Sequence, residues 1–497
     1  MKSAVKKLSI PTAFLAHRHN ISYIMKKQAV IAILDIGKTN KKLFVMDEHY
    51  HIILEHTEQF ADIVDDDGEP CEDIERLSNW INLALKKVIN QPQFDVKAVN
   101  FSTYGASFVL LHTAPIGASG RVVGEVVAPL YNYLKAFPDD LKTGFYDKYQ
   151  GEIAVSSQTA SPVLGNLNSG MQLYFLKERK PFLYAKVNAA LHLPQYASFL
   201  VTKRLFSDIT SIGCHTNLWH FEKNDYHEWV ETEGINKILP PIFPSDAAIP
   251  ALFEGKELVV GVGLHDSSAA LIPYLMCFNE PFILISTGTW CISMNPFNDI
   301  PLTPEELAQD SLCYLSYQGK PVKAARIFAG NEHEIETRRI AEHFDCTTDF
   351  YKNIQFDPEI IELLRGGNEG QTNEQDRVGK GSEDVLKVSH FAKRSLADFD
   401  NAAIAYHQLM LDLVQLQTIS TNLIIQNTPV RRLFIDGGFS KNALYMNLLA
   451  ESFTNLEVFA ASVAQATAIG AALAIHRFWN RKPLRKDLID LKYYAVA

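Results

Sequence analysis

Two short glycine turns, half a chain apart, have the makings of a matched pair of phosphate clips. The first lies in Val30-Ile31-Ala32-Ile33-Leu34-Asp35-Ile36-Gly37-Lys38-Thr39-Asn40-Lys41-Lys42-Leu43-Phe44-Val45, the second in Phe282-Ile283-Leu284-Ile285-Ser286-Thr287-Gly288-Thr289-Trp290-Cys291-Ile292-Ser293-Met294. Each is an apolar, β-branched run, a small polar turn with Gly, and a second strand-like run, the pattern of a β-hairpin. Glycine lets the backbone come close to an anion, and neighbouring N–H and hydroxyl donors can then hold phosphate oxygens. One such turn is usually only a hairpin. Two of them suggest a duplicated architecture with a nucleotide held between the halves. Thr39, Asn40 and Lys42 are the donors around Gly37, and Thr287, Gly288 and Thr289 those of the second turn. Lys38 and Lys41 read as solvated surface charges.

Two carboxylates stand where they could work beside such clips. Asp266 follows a short apolar strand, with Gly261 and Gly263 just before it, so its carboxylate can project into a cleft. It can equally cap the helix that Asp266-Ser267-Ser268-Ala269 opens, and both readings can hold at once. Asp35 ends the first strand, where a carboxylate can bind Mg²⁺ through its water shell or brace the turn through its own backbone. His265 offers either a hydrogen bond to a ligand hydroxyl or a structural partner for the strand. Thr103-Tyr104-Gly105 closes a buried strand. Tyr104 presents a flat apolar face and Gly105 admits a close ligand, unless the aromatic is simply core. Gly437-Gly438 would let a nucleoside lie flat on the backbone with Asn442 near its base or ribose; the alternative is a tight strand-to-helix turn.

The elements that must position these residues follow from periodicity. A strand is expected over Gln59 to Val64, an acidic turn over Asp65 to Glu69, an amphipathic helix over Ile74 to Val88 and a buried strand over Val96 to Ser102. Helical material runs from Pro162 to Leu205, an exposed Pro-rich crossing from Pro240 to Pro250, and a short strand from Leu258 to Gly263. The pattern then restarts with the Phe282 hairpin. A polar loop over 366–384, a long helix from Phe391 to Gln426 and a buried strand from Arg431 to Asp436 complete it. Strand hairpin, strands and helices thus occur twice, which implies a mixed α/β protein of two related halves with a cleft between them.

At 497 residues, 47% of them hydrophobic and 21% charged, the chain has the make-up of a two-domain globular protein. A net charge of −10 argues against broad nucleic-acid or anionic-membrane binding, and no apolar run approaches the roughly 20 residues of a membrane span. Six scattered cysteines with no C-x-x-C pair fit reduced thiols in a cytoplasm. His333 and His343 lack the H-E-x-x-H spacing of a zinc enzyme. The first 27 residues read as an extension from a start site upstream of Met25 rather than a signal peptide, since Pro11 and Thr12 interrupt their apolar stretch.

The order and separation of five segments make the chain resemble the FGGY family of carbohydrate kinases, of the sugar-kinase, actin and heat-shock ATPase fold. They are Asp35 to Lys42, Gly263 to Asp266, Ser286 to Trp290, Gly437 to Asn442, and the Ala/Gly-rich Ala464 to Ala472. Thr103-Tyr104-Gly105 before Phe108-Val109-Leu110-Leu111 is similar to the rhamnulose and fuculose kinases in particular. The chain departs from that subgroup at Lys38, Lys42, Tyr104 and Asn132-Tyr133, which touches the sugar more than the reaction. The resemblance implies two actin-like (ribonuclease H-like) domains with a central cleft, 28–258 binding sugar and 259–497 binding nucleotide. It implies ATP-dependent phosphorylation of a small ketose, L-rhamnulose or L-fuculose, at a primary hydroxyl. Asp266 would be the base, Asp35 the Mg²⁺ residue, and Thr103, Tyr104, Gly105 and His265 the sugar contacts. ATP would be held by Gly37, Thr39, Asn40, Lys42, Thr287, Gly288, Thr289, Gly437, Gly438 and Asn442. The partners expected are the sugar alone, with no nucleic acid or membrane, for a cytoplasmic monomer or homodimer. Other readings are a kinase of xylulose, ribulose, glycerol or another polyol, and a non-catalytic actin-like nucleotide-binding protein.

Overall fold

The computed structural model describes residues 27–367 and 389–495. Apolar β-branched runs become the central strands of two sheets. The first contains β1 (Gln28–Ile36), β2 (Asn40–Asp47), β3 (Ile52–Gln59), β4 (Phe94–Thr103), β5 (Ala248–Phe253) and β6 (Lys256–Gly261) in the order β5-β6-β4-β1-β2-β3, with β7 (Leu264–His265) on the end of β4. The second contains β8 (Phe282–Thr287), β9 (Cys291–Asn295), β10 (Ser311–Leu315), β11 (Pro321–Ile327), β12 (Arg432–Gly437), β13 (Glu457–Ser462) and β14 (Asp490–Tyr494) in the order β10-β11-β9-β8-β12-β13-β14.

Strand directions repeat between the sheets. β1 is antiparallel to β2 and parallel to β4, which is parallel to β6. Likewise β8 is antiparallel to β9 and parallel to β12, which is parallel to β13. The duplication expected from the two glycine turns is therefore present in the backbone. Strands β1 and β8 are buried along nearly their whole length, as strands covered on both faces must be.

Helices α1 (Ile74–Ile89), α2 (Leu193–Thr202), α3 (Asp266–Cys277), α4 (Ala329–His343), α5 (Ala402–Ile425), α6 (Ala443–Ser452) and α7 (Ala466–Ala474) cover the sheets. In α1, Leu77, Ile81, Leu85 and Val88 recur at three- and four-residue spacing and are buried, while Asp73 caps the helix by accepting the Arg76 N–H. Helices α3 and α7 pack on each other in a core shared by Ile31, Ile33 and Phe44 of the first sheet and Phe282, Leu284 and Phe434 of the second. Their backbones nearly touch: a Cβ on Gly470 would stand 1.8 Å from the Ala269 carbonyl oxygen. That pair joins the two halves, and its N-terminal ends carry Asp266 and Thr467.

Several boundaries differ from expectation. The first sheet runs past 258 to His265, since Val259 and Val260 of β6 pair with Ala98 and Val99. The long helix starts at Ala402, not Phe391, because Asn401 caps it by accepting the Ile404 N–H. The strand expected over Gln59 to Val64 splits into β3 and a two-residue piece, Ile63–Val64. The helical stretch after Pro162 is interrupted by a strand, Ala189–His192, that pairs with Phe108–Ile116. Gly366 and Gly367 close a helix, Pro358–Gly367, and the expected polar loop otherwise lies outside the described residues, as does the N-terminal extension up to residue 26. All six cysteines are unpaired. Among the described residues no helix is long and apolar enough to cross a membrane.

Candidate active site

The end of β4 and the start of α3 form one corner. β7 pairs with β4 so that His265 lies opposite Thr103, and α3 begins at the next residue. The N-cap is therefore His265, and Asp266 is the first helical residue, with its Oδ1 accepting the Ser267 N–H at 2.6 Å. The Asp266 side chain is 36% exposed. Desolvation of the remainder pushes its carboxyl up to about 6, against the Ser267 hydrogen bonds. His265 is buried and its imidazole is held down to about 4 by that burial, so it is neutral at neutral pH. Its Nε2 lies 3.6 Å from Asp266 Oδ1 and brings no compensating charge. A carboxylate with a raised pKa and no cationic partner is suited to accept a proton.

The aromatic segment is more tightly committed than its sequence suggests. A Cβ on Gly105 would fall 2.3 Å from both Cδ2 and Nε2 of His265, so this glycine makes room for the imidazole rather than for a ligand. Thr103 is fully buried and its hydroxyl donates to the Tyr104 carbonyl at 2.8 Å. Tyr104 lies beside Tyr133, ring centroids 6.0 Å apart, and donates its hydroxyl to Glu72 Oε2 at 2.5 Å. Glu72 Oε1 is 2.6 Å from Lys41 Nζ, with side chains 3% and 2% exposed. Lys41 is thus not a solvated charge; its ammonium also donates to the Lys38 carbonyl at 2.9 Å. A buried chain of polar groups links the first glycine turn to Tyr104. Tyr133, whose hydroxyl is pushed up by burial and then by the charge of Asp266, belongs to the same corner.

Asp35 joins the two halves. Its Oδ2 accepts the Thr467 hydroxyl of α7 at 2.8 Å. Burial lifts its carboxyl to about 6; Thr467 opposes that, Asp266 adds to it and Lys42 opposes it. Lys42 in turn donates to Gln465 Oε1 at 3.3 Å. Two carboxylates that sense each other, both raised, form a site short of positive charge. That donor set fits a divalent cation held through water.

The second glycine turn opens on a cavity of about 680 Å³ lined by Thr287, Gly288, Gly438 and Asn442, together with Gly330, His333, Tyr351 and Phe439. Its size and mixed aromatic and glycine lining fit a nucleoside. Gly437 has φ +96°, and a Cβ there would meet the Thr287 carbonyl oxygen at 2.0 Å, so the turn requires glycine. The Thr287 hydroxyl donates to the Asp436 carbonyl (2.6 Å) and accepts the Phe439 N–H (3.0 Å), tying the two turns together. Asn442 caps α6 by accepting the Tyr445 N–H and donates to the Tyr406 hydroxyl, so both ends of its amide are used within the protein. Thr39 and Thr289 sit exposed on the turn tips. Asn40 accepts Gln59 Nε2 at 2.8 Å, while its carbonyl takes the Gly37 N–H at 2.9 Å and closes the first turn.

The sequence gives no role to Glu72 or Gly330, and it brings in Tyr133, Gln465 and Thr467 only as parts of larger segments. Gln465 and Thr467 carried a signal, as the polar residues at the start of an Ala/Gly-rich helix. Gly330 carried none: it faces the second turn only because α4 folds back on it, where a Cβ would meet the Gly288 carbonyl oxygen at 1.8 Å.

Comparison with known proteins identifies the family. The N-terminal domain model of the FGGY family of carbohydrate kinases matches residues 30–272, and C-terminal domain models of the same family match 279–365 and 395–477. A rhamnulokinase from Halalkalibacterium halodurans is 23% identical over 93% of this chain and 98% of its own. Among solved structures, a carbohydrate kinase from Novosphingobium aromaticivorans superposes with a TM-score of 0.73 at 20% identity over 95% of both chains. A xylulose kinase from Lactobacillus acidophilus superposes at 0.70 and 14% identity over 94% of both. The domain matches and the repeated sheet together place the protein: this chain belongs to the FGGY carbohydrate kinases, ATP-dependent phosphotransferases.

Proposed function

We propose that this kinase phosphorylates a 6-deoxy ketohexose, L-rhamnulose or L-fuculose, at its primary hydroxyl, with Asp266 as the base. The observation that carries the reading is the half-exposed Asp266, raised to about 6 beside a neutral His265. Such a carboxylate orients a hydroxyl and takes its proton as the phosphoryl group arrives. The sugar assignment rests on the Thr-Tyr-Gly segment and on similarity to a rhamnulokinase along nearly the whole chain. His265, Tyr133 and the partly exposed His215 supply hydrogen-bonding groups around the acid, and Tyr104 an aromatic wall.

Bound Mg·ATP supplies the phosphoryl group and the charge screening. Asp35 would hold the cation through its waters, Lys42 and the N–H groups of both turns would face the phosphates, and Gly437-Gly438 would carry the nucleoside. These residues bind and orient, which is most of what a loose phosphoryl-transfer transition state asks of a protein. A non-catalytic actin-like role would have no use for the His265–Asp266 corner. The test is an ATP-consumption assay over a panel of ketoses and polyols. Turnover highest with rhamnulose or fuculose supports the reading. Preference for xylulose, ribulose or glycerol refutes the sugar assignment, and silence across the panel refutes the ketose-kinase assignment.

A further inference from the structure

The sequence offers no zinc-like spacing, yet the fold gathers three soft-metal ligands beside Asp266. We propose that Cys214, His215 and His265 form a binding site for a thiophilic divalent cation such as Zn²⁺, and that loading it blocks the sugar pocket. The inhibitory consequence rests on the functional reading above; the metal site itself stands on geometry.

One ligand atom from each residue lies within 4.8 Å of the others, and Cys214 Sγ is 4.0 Å from His265 Nε2. Zinc bonds of about 2.0–2.3 Å in a tetrahedron need ligand atoms roughly 3.3–3.7 Å apart, so the three atoms must draw in by up to about 1.5 Å to close on an ion. Supports are in place for His215 and Cys214. His215 Nδ1 donates to the Leu167 carbonyl at 3.2 Å, which leaves the Nε2 lone pair bare, the arrangement that orients metal-bound imidazoles. Cys214 pairs with Tyr314 in an isolated bridge to the second sheet, and the Leu315 N–H donates to the Gly213 carbonyl at 3.1 Å. The His265 N–H donates to Thr210 Oγ1 at 3.0 Å, while its ring Nδ1 is buried with no hydrogen-bond partner.

One thiol and two imidazoles select zinc-like ions over Mg²⁺, which takes oxygen ligands and stays with the carboxylates. As the sulfur–metal bond forms, the Cys214 thiol proton leaves to solvent. An ion on His265 Nε2 would stand beside Asp266 Oδ1, 3.6 Å from that nitrogen, and would occupy the space of the sugar hydroxyl.

The experiment is a Co²⁺ titration of the full-length protein without nucleotide, read by absorbance, followed by Zn²⁺ displacement. A thiolate-to-cobalt charge-transfer band and tetrahedral d–d bands are expected. Cys214→Ser and His215→Gln should each weaken binding by more than the roughly 10–100-fold that loss of a supporting partner costs, with unchanged far-ultraviolet circular dichroism. Cys346→Ser, at an exposed position, should leave the bands intact. No band in wild type, or a band that survives in folded Cys214→Ser, overturns the site. If Zn²⁺ displaces Co²⁺ yet leaves turnover unchanged on a competent sugar, the inhibitory half is overturned. A panel without any turnover would sink the ketose-kinase assignment, and the cobalt spectrum would still judge the site.

Discussion

Asp266→Asn keeps the shape of the side chain and removes its ability to take a proton. Without a base, turnover should fall by about 10²–10⁴-fold, with ATP affinity nearly unchanged. The same substitution should stabilise the fold at neutral pH. The carboxyl rises from 3.8 unfolded to about 6 folded because folding strips its solvent. The folded state therefore holds this proton more tightly than the unfolded chain. That advantage is complete below about pH 4 and is lost as pH rises through 6. A shift of about two units would amount to roughly 3 kcal/mol for a fully buried group. With 36% of the side chain exposed, solvent screening reduces it to about 1 kcal/mol. Asparagine has no charge to desolvate, so the variant should melt about 1–2 °C above wild type at pH 8, and the gap should close toward pH 4. Wild-type kcat/KM should fall about tenfold per unit below pH 6. Near-normal turnover would remove Asp266 from the chemistry. A variant that melts below wild type at pH 8 would show that the carboxylate is held for its Ser267 hydrogen bonds instead.

The remaining expectations concern the walls and the cleft. Lys41→Met leaves Glu72 buried without its cation and should cost about 3–5 kcal/mol in urea unfolding, largely recovered in Lys41→Met/Glu72→Leu; a loss under about 1 kcal/mol would mean the pair is solvated. Gly437→Ala strains φ +96° and meets the Thr287 carbonyl, so the ATP KM should rise at least about tenfold while the sugar KM holds; equal loss of both would mean general unfolding. Gly105→Val must displace His265 and should damage sugar kcat/KM with ATP affinity retained; a normal sugar response would take His265 out of the pocket. Sugar with a non-hydrolysable ATP analogue should compact the protein in solution scattering, and an unchanged profile with both ligands bound would argue against domain closure.

What could be read from the sequence were features that repeat locally: the hairpins at Gly37 and Gly288, the stripe of α1, and the strand ends that carry Asp35, Asp266 and Gly437. What could not be read depends on distant partners. Lys41 sits in a run of turn lysines, and nothing nearby reveals that Glu72 pairs with it. Gly105 looks like an opening for ligand, and only the return of β7 to β4 shows that His265 fills it. The late start of α5 shows the limit of apolar periodicity: Leu and Phe spacing continued before Asn401, but the Asn401 side chain sets where the helix begins by capping its N-terminus.

The strand registers show how far the two copies of one design correspond. Ile36 pairs with Thr103 in the first sheet as Thr287 pairs with Gly437 in the second. The next residue bonds back in the same way: the Tyr104 N–H donates to the Ile36 carbonyl at 3.0 Å, and the Gly438 N–H to the Thr287 carbonyl at 2.8 Å. Tyr104 and Gly438 are therefore equivalent positions. An aromatic ring at one fills the first corner, and bare backbone at the other leaves the second turn open to its cavity. The acids have exchanged places in the same frame: Asp35 lies opposite Ser102, and Ser286 opposite Asp436. In the first half the acid is on the hairpin strand, where Thr467 and Lys42 hold it toward the cleft. In the second it is on the following strand, where the Tyr274 hydroxyl takes it at 2.9 Å. One backbone plan thus sets an acid on the hairpin strand of one half and on the following strand of the other, and under the proposed function that asymmetry would put the cation-holding carboxylate in the half that also carries the base.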